Sequence, residues 1–480
     1  MSDAPGRDVP AREVVGRDAL VAALTAALGD RGVLTAPADR ARFEQGWRYG
    51  HGTARCVARP ASTDEVAATL RLCREHGARV VAQGANTGLV AASTPDASGE
   101  MVVLSLERLN RTIDVDPVDR VALVDGGVLL SQLNEALAGH GLWFPVDLGA
   151  DPQIGGMVAT NTGGTRLCRY GDVRHNLLGV EVVLGDGRVV SQLNRLRKNN
   201  TGLDVKHLFT GTTGVFGVVT RAVLQLAPRP AQRSTALVGC RDGDAVLELL
   251  RAVERDLGDV LTAFEVMGAD ALAAVFRHQP ELRRPFAELP AYSVLVELST
   301  TLPASALSLD DVLQERLGSH LEGAGDAVVD VLLGKGDEFW AMRHHISESL
   351  RSMLAFDVSV PRSRLPAFTA RVQALLAAEF PFVTLCDYGH WGDGGTHLNL
   401  VWRDDAAGAA EPDVLKRALQ DRVYELAVVG FGGSWSAEHG VGPHNQRFYD
   451  RYADPEVKAL SRVLGGSCDP GGVLGTVRLG

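Results

Sequence analysis

The sequence predicts an α+β fold in at least two domains, and three observations carry that expectation. At 480 residues the chain exceeds what one ordinary core organises. Glycine is dense and strand signals outnumber helical ones between Gly149 and Gly217, whereas helical periodicities and a long alternating strand follow residue 230. Pro228-Arg229-Pro230, followed by polar residues, reads as a linker between the two regimes. The expected division is an N-terminal helical segment over 1–49, a first domain over 50–230 and a second over 231–480.

Taken in order, residues 18–30 (DALVAALTAALGD) have the pattern of an amphipathic helix. Ser62-Thr63-Asp64-Glu65 is a capping box, with Val66, Leu70 and Cys73 at helical spacing and Gly77 as the stop. Ala78–Ala82 is a buried strand that runs into the small-residue turn Gly84-Ala85-Asn86-Thr87-Gly88. Leu130, Leu133 and Leu137 mark a short helix. Gly179–Leu184 and Arg188–Val190 flank Gly185-Asp186-Gly187, a hairpin signal. Past the linker, Thr235–Val238 is strand-like, Ala245–Arg255 helical, and Tyr292–Leu298 alternates as a half-buried strand. The second half therefore predicts helices covering one face of an antiparallel sheet.

Composition removes several function classes. Hydrophobic residues at 45% and charged residues at 22% describe a globular chain. A net charge of −11 argues against a nucleic-acid or anionic-membrane partner. The N-terminus has no apolar run of the secretory kind, and no stretch reaches the roughly 18 apolar residues of a membrane span. The six cysteines are scattered without a CxxC pair, which excludes a cysteine zinc site or ferredoxin-type cluster and suits reduced thiols. A cytoplasmic protein is expected, with a homodimer as the base-rate assembly.

Chemistry enters with three glycine clusters, GANTGL (84–89), IGGMVATN (154–161) and GTTGVFG (211–217). Small-residue turns let backbone N–H groups approach a pyrophosphate. No GxGxxG opens a helix after a strand, which argues against a Rossmann site. The ordered motifs VAQGANTGLV, PQIGGMVATNTGG, RYGDVRHNLLGVEVVLGDGRVV and NNTGLDVKHLFTGTTGVFGVVT resemble the PCMH-type (vanillyl-alcohol-oxidase-like) FAD-binding domain, over roughly residues 50–230. The resemblance implies that Asn86, Thr87 and Gly88 hold the FAD pyrophosphate, with Gly84 and Leu89 also binding the cofactor. It further implies that Ile154, Gly155, Gly156, Ala159, Thr160, Asn161 and Val218 contact the cofactor. Many relatives attach FAD through a histidine in the first loop. Ala85 and its neighbours offer none, so the FAD is expected to be non-covalent. Thr213 stands where relatives usually carry glutamate.

The segment GHWGDGGTHLNL (389–400) sets two histidines seven positions apart around a glycine turn, and SAEHGVG (436–442) adds a carboxylate and another histidine. Glycines argue against a helix here, and a tight turn could fold both rings toward one point. Two imidazoles plus a carboxylate form a three-ligand metal site with open positions. Spacing alone does not join Glu438 to the pair. Together, downstream of this flavin domain, the two motifs resemble the flavin-linked D-2-hydroxy-acid dehydrogenases, nearest the D-2-hydroxyglutarate dehydrogenase branch.

That resemblance implies a divalent metal, zinc first, on His390, His397 and Glu438, with His439 as catalytic base and Asn399 beside the substrate. It implies that Arg343 and Ser347, one helical turn apart, grip the substrate's distal carboxylate. The reaction expected is oxidation of a D-2-hydroxy acid to the 2-oxo acid, with hydride to flavin. With no nicotinamide motif, the electron acceptor is expected to be an electron-transfer flavoprotein, a quinone or a cytochrome. Three positions depart from the family pattern: Ala355 in place of a lysine, Gly395 of an asparagine and Asn445 of a lysine. They leave the substrate open between a diacid, D-lactate or glycolate, and a larger hydroxy acid. A flavin-binding relative without turnover is the non-enzymatic alternative.

Overall fold

The computed structural model describes residues 11–334, 336–350, 354–402 and 412–480, with side chains from residue 19 onward. The sequence reading of residues 1–10 lies outside the described residues. The first helix, Ala11–Leu28, buries Leu20, Leu24 and Leu28 beside the helix Thr63–Glu75. In Thr63–Glu75, Val66, Ala67, Leu70 and Cys73 recur every three or four residues and are all buried. Ser62 Oγ accepts the Glu65 N–H at 3.2 Å, a cap that contributes about 1 kcal/mol. The glutamate reaches back one residue further than a capping box requires, to the Ala61 N–H. The N-terminal segment is not helical throughout: Val33–Leu34 pairs with Ala54–Ala58 as an edge strand.

Two small sheets and a two-residue strand pair, Leu142–Trp143 with Ala227–Pro228, build the first half. One sheet has the order Val33–Leu34, Ala54–Ala58, Met101–Ser105, Val80–Gln83, with its last three strands parallel. The other is antiparallel, in the order Ile113–Asp116, Val121–Asp125, Val218–Gln225, Leu177–Val183, Val189–Gln192. The predicted hairpin around Gly185–Gly187 is its last pair. The chain end returns to this half. Val80 N–H donates to the Val473 carbonyl, Gly475 N–H donates to the Val80 carbonyl, and Leu474 packs with Val102 and Leu104.

A seven-stranded antiparallel sheet builds the second half. Its order is Val328–Leu333, Gln232–Cys240, Tyr292–Thr300, Leu261–Gly268, Thr384–Gly389, Gly395–Val401, Leu354–Ser359. Alternation divides it into two faces. Phe264, Val266, Val294, Val296, Phe356, Val358, Leu398 and Leu400 pack against the helices Gly243–Leu257, Leu309–Gly323 and Leu365–Glu379. Glu265, Met267, Tyr388, His397, Asn399, Ala355 and Asp357 take the other face, by the same registers.

Two expectations need correcting here. Helices cover more than one face, because Ala269–His278 and Gly336–Ser349 pack on Leu237, Met267, Leu295 and Tyr388. Tyr292–Thr300, expected to be half-buried, is therefore buried at every position. A central strand covered on both sides keeps no solvent face.

Candidate active site

The hairpin Thr384–Gly389 / Gly395–Val401 sets the two histidines. Tyr388 pairs with His397, and His390 lies just past the strand end in a turn closed by Gly394 at φ +99°. Trp391, fully buried against Tyr292, anchors the turn. Gly395 donates its N–H to Asp393 Oδ1 at 2.8 Å. The His390 and His397 rings stand edge to face, 5.3 Å between centroids, as a tight glycine turn would bring them.

The loop after residue 434 delivers the carboxylate. His390 Nε2 lies 3.5 Å from Glu438 Oε1, and ligand atoms of His390, His397 and Glu438 all fall within 4.8 Å of one another. His439 stacks 6.2 Å from His397. Asp357 holds this loop in place: its Oδ2 accepts the backbone N–H groups of Glu438 at 2.8 Å and His439 at 2.9 Å. The same carboxylate faces His439 Nδ1 at 3.5 Å and His397 Nδ1 at 3.8 Å. Burial opposes ionisation of Asp357, but the two histidines and the two N–H groups outweigh it and hold its pKa below the usual carboxylate value. Asp357, Glu438 and His439 also form a close donor group: the loop backbone takes Asp357 Oδ2, while Oδ1 is buried without a hydrogen-bond partner.

The two imidazoles differ. Burial pushes His397 down to about 3, which leaves it neutral with a free lone pair. Burial would do the same to His390, but Glu265 and Glu438 overcome it and raise it to about 9. A cation among these donors would displace that proton. Two neutral-capable imidazoles and a carboxylate, partly open to one side, are a donor set that fits a divalent ion.

Arg343, 6% exposed, reaches the same face from the helix Gly336–Ser349. Its Nε donates to Glu265 Oε2 at 2.7 Å and its guanidinium lies 4.6 Å over the Tyr388 ring. One turn on, Ser347 Oγ is 2.8 Å from the Tyr388 hydroxyl. Asn399, buried two positions from His397, donates to the Cys386 carbonyl. The family-atypical Ala355 pairs with Asn399 on the edge strand. Asn445 braces its loop, accepting from Gly442 N–H and donating to the Gly440 carbonyl.

The three glycine clusters converge. A side chain at Gly84 would meet Gln153 and Gly156, Thr213 donates its N–H to the Ala159 carbonyl at 2.7 Å, and Gly211 faces Asn161. Gly88 and Gly156 face open space where a Cβ would stand, and Gln153 Oε1 and Thr213 Oγ1 are buried without partners. Ile154–Thr160 is a short helix ended by Asn161 at φ +51°, whose amide bonds Asp172. Asn86, also left-handed, is fixed by Gln45 and Ser93, with Thr87, Gly88 and the half-buried Leu89 following. The side chain of Val218 is buried in the apolar core with Val183, so only its backbone is left for a ligand. This surface fits a bulky planar ligand approached by backbone. It also adjoins the histidines: a Cβ at Gly163 would lie 3.6 Å from Glu438 Oε1, and one at Gly440 3.9 Å from Thr213.

Residues 54–192 match an FAD binding domain, and residues 229–477 match the C-terminal domain of FAD linked oxidases. The chain belongs to the FAD-linked oxidase family, a family of oxidoreductases. It is 36% identical over 459 residues to mitochondrial D-2-hydroxyglutarate dehydrogenase of Bos taurus, covering 93% of this chain and 81% of that one. The D-2-hydroxyglutarate dehydrogenase of Xanthomonas citri pv. viticola is 34% identical, covering 91% of each chain. A D-2-hydroxyglutarate–pyruvate transhydrogenase of Saccharomyces cerevisiae is 32% identical over 92% of this chain and 89% of that one. Among solved structures, substrate-bound p-cresol methylhydroxylase superposes with TM-score 0.69 at 16% identity, over 96% of each chain. The 4-ethylphenol oxidase from Gulosibacter chungangensis gives 0.70 at 18%, over 97% of each. The PCMH-type fold expected from the glycine motifs is thus the fold of this flavoprotein.

Sequence reasoning missed Glu265 and gave Asp357 no role. The one charged side chain in the strand LTAFEVMG was the available signal for the first. A carboxylate inside an apolar run stays there only with partners.

Proposed function

We propose that this flavoprotein oxidises a D-2-hydroxy acid, D-2-hydroxyglutarate or a related diacid, to the 2-oxo acid. The single observation that carries the reading is the convergence of His390, His397, Glu438 and His439 against the glycine-lined flavin surface. The names of relatives at 32–36% identity favour this substrate class. When bound, FAD takes the hydride and a divalent ion, zinc first, supplies a Lewis acid.

The chain's own residues do the rest. His390, His397 and Glu438 would hold the ion. His439 presents Nδ1 to Asp357 and keeps Nε2 to accept the hydroxyl proton. Arg343, with its Nε edge committed to Glu265, turns its terminal amino groups to the substrate's distal carboxylate, and Ser347 holds the Tyr388 hydroxyl beside it. Asn399 lies on the same sheet face, two residues from His397. The first glycine loop has no histidine, so FAD is held without a covalent bond and acid should release the chromophore. Electrons leave to an electron-transfer flavoprotein, a quinone or a cytochrome; the yeast relative's name adds pyruvate to the acceptors worth testing.

The test is dye reduction by purified holoenzyme over a panel of D-2-hydroxyglutarate, D-malate, D-lactate and glycolate, with and without chelator. Chelator-sensitive turnover of a diacid is expected. Full activity in a metal-free preparation would remove the metal from the reading, and no turnover of any hydroxy acid would remove the reaction.

A further inference from the structure

Glu265 is a single carboxylate shared by two parts of the site. It is 1% exposed, and each of its oxygens has a different partner. Oε1 lies 2.5 Å from His390 Nδ1, and Oε2 accepts the Arg343 Nε proton at 2.7 Å. The first contact occupies Nδ1, so the ring nitrogen left to point at Glu438 is Nε2, the atom found 3.5 Å from Oε1 of that residue. The second contact occupies one edge of the guanidinium and lays it over Tyr388, which orients the other edge. Because both oxygens belong to one rigid group, Glu265 cannot tighten on one partner without changing its hold on the other.

We propose that Glu265 is a positioning residue that couples cation binding at His390 to recognition of a remote substrate carboxylate by Arg343. The inference rests on the roles given to those two residues above. Its sign follows from charge. A divalent cation on His390 Nε2 takes the place of a single proton there, so the positive charge that faces Glu265 through the ring rises and its hold on Nδ1–H strengthens. The glutamate's charge is then shared less with Arg343, whose own charge becomes freer for an anionic tail. Coupling of this kind is reciprocal, so a ligand with two carboxylates should raise cation affinity more than one with a single carboxylate.

The experiment measures Zn²⁺ affinity of the FAD-loaded protein by competition with a chromophoric chelator, in the presence of glutarate or of acetate. Acetate reports a carboxylate at the ion; the excess effect of glutarate reports the tail. Wild type should bind Zn²⁺ more tightly with glutarate than with acetate. Glu265→Gln should lower Zn²⁺ affinity about 10- to 100-fold and abolish the glutarate excess, with the flavin spectrum retained. Arg343→Met should abolish the glutarate excess while leaving Zn²⁺ affinity within a few-fold of wild type. Should Glu265→Gln fail to fold, the double variant Glu265→Gln/Arg343→Met removes both buried charges and must still show the Zn²⁺ loss. Unchanged Zn²⁺ affinity in either glutamine variant overturns the coupling, as does an Arg343→Met loss equal to that of Glu265→Gln. If wild type itself binds no Zn²⁺, the metal reading of the site fails first and the coupling falls with it.

Discussion

Asp357 and Asp387 lie on the same sheet, equally buried at 5% exposure, and their carboxyl groups behave in opposite ways. Asp357 pairs with His397 and so shares the face that carries the histidines, whereas Asp387 pairs with Leu398 and looks into the helix-covered core. Burial raises both, but at Asp357 two histidines and two backbone N–H groups reverse the effect. At Asp387 burial wins, and with only its own backbone and the Tyr292 hydroxyl to oppose it the group rises to about 6. Burial is therefore not what marks the site. What marks it is a face on which the buried carboxylates Asp357 and Glu265 are held charged by partners while burial keeps the neighbouring His397 neutral, and that face adjoins the glycine-lined surface.

The strongest way to break this contrast is to remove the proposed base from the face that carries the histidines. His439→Asn should reduce turnover about 10²- to 10⁴-fold, the usual contribution of a positioned base, while bound metal is retained. His390→Ala should lose the metal as well as the rate, with the flavin spectrum kept. Metal analysis beside stopped-flow flavin reduction separates the two. If His439→Asn loses metal in proportion to rate, then His439 is a ligand and the assignment of Glu438 must change.

Much of this arrangement was legible because it is local. The cap at Ser62, the glycine hairpin at 185–187 and the turn between His390 and His397 each depend on residues a few positions apart, where backbone conformation follows residue type. The family motifs added Glu438 and His439, which sequence spacing alone does not join to the pair. What stayed hidden depends on register across the sheet. Glu265 meets His390 over 125 positions, and Asp357 meets Glu438 over 81. Arg166, in the glycine-rich half, crosses to Glu297 of the large sheet and shares that carboxylate with Trp340. A two-residue edge strand at Val33–Leu34 and the return of Val473–Gly475 onto Val80 are too short for any periodicity to announce.

A smaller effect sharpens the substrate side of the active face. Ala355 lies beside Asn399 on the edge strand, at the position where the sequence resemblance implies a lysine. A second cation there would share the distal carboxylate with Arg343, and one charge-assisted hydrogen bond contributes about 1.5–3 kcal/mol. Ala355→Lys should therefore raise kcat/KM for D-2-hydroxyglutarate and D-malate roughly 10- to 150-fold and leave D-lactate unchanged. Equal effects on all three acids would mean that residue 355 does not face the substrate's tail.

The smallest expected effect on catalysis belongs to Asp387, and it tests the other half of the contrast. Its folded-state pKa of about 6 lies above its ordinary value of 3.8, so the folded protein holds this proton more tightly than the unfolded chain does. The stability from this group is complete below pH ~4 and is lost as the pH rises through about 6, because ionisation then takes place in the apolar core. The difference in proton affinity between the folded and unfolded chain corresponds to about 3 kcal/mol at most, as an order of magnitude. An amide in place of the carboxyl is neutral at every pH and can still accept the Tyr292 hydroxyl, so Asp387→Asn should be close to wild type in thermal stability at pH 4. It should be more stable at pH 8, with kcat unchanged. Melting curves from pH 4 to 8 read the difference directly. A variant that loses stability uniformly across that range would mean that Asp387 is held for its packing, and that the two faces do not differ in how they tolerate charge.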